Sequence, residues 1–183
     1  MKKWLILPAC CLLVAASIAQ DLGVHNNSNT WQNTFTSDKL TDADLVAFED
    51  RAKQKLTDLY GLLEIVADGK YEMKLRQDAK KQAVELFSSR DSKIYGISIN
   101  TLLDSLLKTN QASGIEISPP QVIENFRKEK ALNIYSGTLS ISLKYQNEKN
   151  KKVVSASILL IKTEKLFGTE KKQVWTVYLS EIK

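Results

Sequence analysis

The sequence predicts an α+β domain in which an N-terminal helical hairpin packs on a curved antiparallel sheet of about five strands. Three observations carry this reading. Apolar side chains recur at three- and four-residue steps from Leu45 to Val66. The period changes to alternation after Arg90, and the last third of the chain is a run of long alternating segments divided by short polar turns.

The first helix is placed from Thr41 to Val66. Thr41 followed by Asp44 supplies a side-chain acceptor and negative charge for the free amides of the first turn. Leu45, Phe48, Ala52, Leu56, Leu59, Leu63 and Val66 then form one apolar stripe. Asp68-Gly69 reads as the stop, with Gly69 taking the left-handed conformation that ends many helices. A second helix, about Tyr71 to Phe87, is expected to turn Leu75, Ala79, Ala83 and Leu86 inward and Lys80, Lys81 and Glu85 outward. The short link folds the two into a hairpin.

Ile94, Tyr95, Ile97 and Ile99 suggest a short strand, Thr101 to Lys108 a small helix, and Gln111 to Pro120 a loop closed by Pro119-Pro120. Four longer strands are expected at about Gln121 to Lys130, Ile134 to Tyr145, Val153 to Lys165 and Gln173 to Ile182. Between Thr138 and Tyr145 the alternation of Leu139, Ile141, Leu143 and Tyr145 with polar partners marks a half-buried antiparallel strand. Turns at Gln146 to Lys152 and Leu166 to Thr169 make the strands a meander, and residues 41–183 form a single domain.

Residues 1–19 have the layout of a secretory signal peptide: a basic start at Lys2 and Lys3, an apolar run too short to span a membrane, and small side chains at Ser17 and Ala19. Cleavage is placed between Ala19 and Gln20, which makes the protein periplasmic or secreted. The rival reading makes Cys10 a lipid-attachment site. Residues 20–40 form a polar, mobile arm that Trp31 and Phe35 could anchor to the domain.

Division of the chain alters its composition. Removing the 19-residue leader from 183 leaves 164 residues with 24 basic and 21 acidic side chains, a net +3. Such a balance is no nucleic-acid footprint. Cys10 and Cys11 depart with the leader, and the only histidine, His25, falls in the arm. A disulfide framework, a cysteine nucleophile, a histidine triad and a thiolate metal site are thereby set aside, and no metal or cofactor is expected.

Several short patterns carry a resemblance. They are Ala52 to Lys55 (A-x-x-K), Glu85-Leu86-Phe87, and the terminal Phe167-Gly168 through Lys172, Val174-Trp175, Val177 and Leu179. On these and on its order of elements the chain resembles the nuclear transport factor 2-like (cystatin-like) superfamily and a group of uncharacterised exported bacterial proteins. The resemblance implies a cone-shaped sheet around the first helix, an apolar pocket inside it, and sheet-to-sheet dimers. It implies no particular chemistry, because the matched residues serve packing and turns.

Two function classes follow. The favoured one is an exported, non-catalytic binding or interaction module of the bacterial envelope, taking a small hydrophobic ligand or a protein partner. The second is a pocket enzyme of the isomerase or dehydratase type, which would need a buried acid or base; Glu124, Glu164 and Glu181 instead read as solvent-facing. Tyr60, Phe126, Tyr145 and Trp175 are the candidate pocket lining, although filling a core is their default use. Leu159, Ile161, Val174 and Tyr178 are the candidate interface, with Ile182 beside them on the outer face, and a homodimer or a protein partner is expected there.

Overall fold

A computed structural model describes residues 39–110, 114–130, 133–145 and 150–183. The leader, the Ala19/Gln20 cleavage site, Cys10 and nearly all of the arm, Trp31 and Phe35 included, lie outside the described residues. Helices α1 (Asp42–Ala67) and α2 (Met73–Glu85) are followed by strands β1 (Lys93–Ile94) and β2 (Ile97–Ser98), helix α3 (Ile99–Thr109), and strands β3 (Ile115–Ile117), β4 (Gln121–Lys128), β5 (Ile134–Tyr145), β6 (Lys152–Phe167) and β7 (Glu170–Ile182). The class is α+β. The sheet is an open, strongly curled half-barrel of order β2-β1-β7-β6-β5-β3, with β4 also paired to β5.

Thr41 caps α1 through a reciprocal box. Its hydroxyl accepts from the Asp44 amide at 3.2 Å, while the Asp44 carboxylate accepts from the Thr41 amide at 2.8 Å. Along α1 the predicted stripe is the buried one, with Ala52, Leu56, Leu59 and Val66 fully enclosed. They meet Leu139, Ile141, Leu143, Ile158, Leu160, Val177 and Leu179 from the inner face of the sheet in one continuous core. A fully buried Leu such as Leu56 is worth ~1.5–3 kcal/mol relative to exposure.

Four sequence expectations are revised. The sheet has seven strands rather than about five, and it is mixed, because β1 runs parallel to β7 with Lys93 opposite Glu181 and Ile94 opposite Ile182. One extra strand arises where the expected single strand near Ile94 turns back on itself. Tyr95 (φ 52°) and Gly96 (φ 79°) both lie in the left-handed region, and a two-residue hairpin with that geometry matches strand twist. The other extra strand, β3, lies within the expected loop before Pro119-Pro120. Beyond the prolines β4 resumes along the same edge of β5. Proline carries no amide to continue the ladder, so one edge strand is divided into two.

Gly69 does not have a positive φ. A Cβ there would lie 3.0 Å from both the Cβ and the carbonyl oxygen of Asn110, so glycine is required by close approach to the end of α3. Leu75 is 48% exposed, and Arg76 holds the inward position instead, at 2% exposure. Finally, Ile182 is fully buried rather than outward. The β6–β7 register slips between Ser157 and Ile158, whose partners are Glu181 and Leu179, so Ser180 is an inserted residue. This bulge moves the inward phase from Leu179 to Ile182.

Two buried charged side chains hold the helices in place. Arg76 donates from Nε to the Val66 carbonyl at 2.9 Å, from Nη1 to Asn110 Oδ1 at 2.6 Å, and from Nη2 to the Leu107 carbonyl at 2.9 Å. One guanidinium thus caps the carboxyl ends of α1 and α3, where the helix dipoles favour positive charge. Glu49, 5% exposed on α1, accepts from the Phe126 amide at 3.1 Å and from Asn125 Nδ2 at 3.3 Å. It satisfies the backbone of β4 where that strand is irregular against β5.

Candidate functional site

The four candidate pocket residues are all built into the interior or its margin, in two separate places. Tyr60 and Tyr145 belong to a tyrosine cluster with Tyr95. The Tyr60 and Tyr95 hydroxyls are 3.3 Å apart, and the Lys152 ammonium lies 4.4 Å from the centroid of the Tyr95 ring. Burial, reinforced by the Tyr95 hydroxyl, raises the pKa of Tyr60 well above that of an ordinary phenol. Burial also raises that of Tyr95. Both phenols keep their protons in neutral water and serve as hydrogen-bonding groups. Phe126 and Trp175 are elsewhere in the core, 5% and 2% exposed, with Trp175 in edge contact with Tyr135 at 5.4 Å between centroids.

The strand carboxylates do not enter the core. Glu124 accepts from the Thr138 hydroxyl at 2.7 Å, Glu164 pairs with Lys171 at 2.8 Å, and Glu181 pairs with Lys183 at 3.0 Å. Among the described residues no group of three or more His, Cys, Asp or Glu side chains is placed to hold a metal ion. No helix among them is long and apolar enough to cross a membrane.

The candidate interface residues do share one face. Leu159 is opposite Tyr178, Ile161 opposite Thr176, and Thr163 opposite Val174, so the even positions of β7 and the odd positions of β6 line the side of the sheet away from the core. Val174 is nonetheless buried at 6% exposure, and Leu159, Ile161 and Tyr178 are half-buried.

Ile161 and Tyr178 also lie on the floor of a groove of about 870 Å³. Its floor continues through Thr163 and Thr176, whose hydroxyls are bonded across the strands at 2.9 Å. One wall is the end of α2, with Lys80, Lys81, Val84 and Glu85; the other side is closed by the Phe87 to Arg90 segment and by Asn100 of α3. From α1 the Lys55 ammonium reaches the Tyr178 ring, 5.1 Å from its centroid, and Lys165 approaches from β6. Burial lowers the pKa of Lys55, and the charge of Lys165 lowers it further.

The groove was not legible in the sequence, because its cations come from four different segments. Lys55, Lys80, Lys81, Arg90 and Lys165 carry positive charge, and Glu85 is the only acidic side chain among its lining residues. Lys80 is balanced by Asp104 and Lys81 by Asp78. Among the described residues Lys55, Arg90 and Lys165 have no carboxylate within ion-pair distance. Comparison with family models, with curated proteins and with solved structures finds no match.

Proposed function

We propose that this protein is an exported, non-catalytic binding or interaction module, built on a cone of the nuclear transport factor 2-like kind and working through the face of β6 and β7 that turns away from the core. The observation that carries this is a contrast between the two faces of one sheet. The inner face is filled by Leu139, Ile141, Leu143, Ile158, Leu160 and Leu179, each at 0–1% exposure under α1, and the strand carboxylates stay outside it. The other face combines half-buried apolar side chains with an open groove. A site with a few polar groups around an apolar floor is what a ligand or partner needs.

The partner favoured for Leu159, on the part of this face outside the groove, is a second copy of the chain. Light scattering on the mature protein at high concentration tests this, with a dimeric mass expected and loss of the dimer on Leu159→Glu. A strictly monomeric mass removes the self-association arm. Turnover of small ketone or hydroxyacyl compounds that one Glu→Gln change abolishes would replace the module by an enzyme of the isomerase or dehydratase class.

A further inference from the structure

We propose that the groove between α2 and β6–β7 binds a phosphate-bearing ligand, its anionic head held by Lys55, Arg90 and Lys165 and its apolar portion resting on Ile161 and Tyr178. The inference rests on the reading of this face as the binding surface and adds the chemistry of what it binds. Outside the groove, among the described residues, several lysines are paired with carboxylates, Lys53 with Asp50, Lys144 with Glu116, Lys171 with Glu164, Lys172 with Glu170 and Lys183 with Glu181, while others stand singly on the surface. In the groove α1, β6 and the segment after α2 deliver three cations to one place, none with a carboxylate within ion-pair distance among the described residues; Asp58 acts on Lys55 from farther off, and Glu85 is the only acidic side chain in the lining.

The frame that holds them is stiff. Lys55 projects from a helix anchored by the fully buried Ala52 and Leu56, Lys165 from the longest strand, and Arg90 follows Phe87 and Ser88, whose backbone is tied to Leu179. Like charges gathered on such a frame repel, and a bound anion converts that repulsion into attraction. A monocarboxylate would balance one cation. A phosphate monoester carries about −1.5 to −2 charges and three acceptor oxygens, which suits three cations with a serine hydroxyl, Ser88, on the same rim. The Tyr178 ring, Ile161, Val84 and Phe87 supply the apolar surface beside the charged end.

Titration calorimetry of the mature chain with inorganic pyrophosphate, at low ionic strength, tests this. Saturable binding is expected, weakened about tenfold by Lys55→Met and again by Lys165→Gln, and falling as salt is raised. Lys171→Gln/Lys172→Gln at the β6–β7 turn is expected to leave it within about twofold. Thermal unfolding of each variant checks that the fold is kept. Vesicles of phosphatidylglycerol, with phosphatidylcholine as reference, separate the two sources of the group: tighter binding to the anionic vesicles with the same variant dependence assigns a lipid headgroup, and equal binding to both assigns a free phosphorylated molecule. No saturable pyrophosphate binding up to about 10 mM, or an equal loss in the turn variant, overturns the inference. If the Leu159→Glu dimer test still succeeds in that event, only the ligand chemistry falls; if both fail, the binding-face reading falls with it.

Discussion

Replacing Arg76 with Met removes the cap shared by two helices while keeping most of the side chain's packing volume. Three short hydrogen bonds disappear, to the Val66 and Leu107 carbonyls and to Asn110 Oδ1, all between 2.6 and 2.9 Å. A hydrogen bond to a charged group contributes ~1.5–3 kcal/mol net, and a carbonyl left without a partner at a buried helix end costs ~1–3 kcal/mol. Recovered desolvation of the guanidinium offsets part of this, so the expected loss is about 4 kcal/mol. For a domain of this size each kcal/mol moves the midpoint by ~2–4 °C, which places the variant about 8–16 °C below the parent. Thermal unfolding followed by circular dichroism reads the shift. Arg76→Lys keeps the charge but offers a compact ammonium in place of a fork, and about half the loss is expected. A midpoint within ~3 °C of the parent for Arg76→Met would refute the claim that this side chain holds the ends of α1 and α3 together.

Other perturbations follow from the same geometry. Gly137→Ala brings a Cβ to 2.9 Å from the backbone oxygen of Glu124, so β4 must move; a loss of ~1–3 kcal/mol is expected, read as a lower urea midpoint at unchanged m-value. For Lys55 the sign is set by its depressed pKa: between that value and the ordinary 10.5 the unfolded chain binds more protons than the folded one, so this group makes stability rise as pH climbs through the window. Lys55→Met is expected to stabilise the protein at neutral pH by about 0.5 kcal/mol or less, since water screens so open a site, and to flatten that rise; an unaltered pH profile counts against the assignment.

The parts of the fold legible in the sequence were those whose signal is local and repeated. The apolar stripe of α1 has seven members, and Thr41 with Asp44 completes a cap within four residues. The alternation of β5 likewise needs no distant partner to be read. What escaped depends on neighbours far along the chain. Arg76 is one charged residue in a polar helix, and its inward position is decided by Val66 and by Leu107, which lies 31 residues away. Gly69 resembled a helix stop, but its requirement comes from Asn110 in another helix. Nothing in the sequence around Glu49 marks it as buried, because the amide it satisfies belongs to Phe126, 77 positions on. Ser180 shifts the phase of β7 by a single residue, so Ile182 was assigned to the wrong face. At the candidate site the aromatic residues were visible as residues, whereas the meeting of Lys55, Arg90 and Lys165 exists only after folding.

The parallel pairing of β1 with β7 also governs when the domain can form. Leu86 and Ser88 exchange backbone hydrogen bonds with Leu179, the Tyr95 amide donates to the Ile182 carbonyl, and the Ser155 and Lys183 backbones bond each other in both directions. Residues made early thus find their partners only among the last to be synthesised, and loops of such length close slowly. Until β7 is in place the stripe of α1 has no complete floor. A chain lacking residues 170–183 is therefore expected to stay open to limited proteolysis where the full chain resists. A polypeptide that cannot close early stays extended and open to other molecules for as long as it is being made.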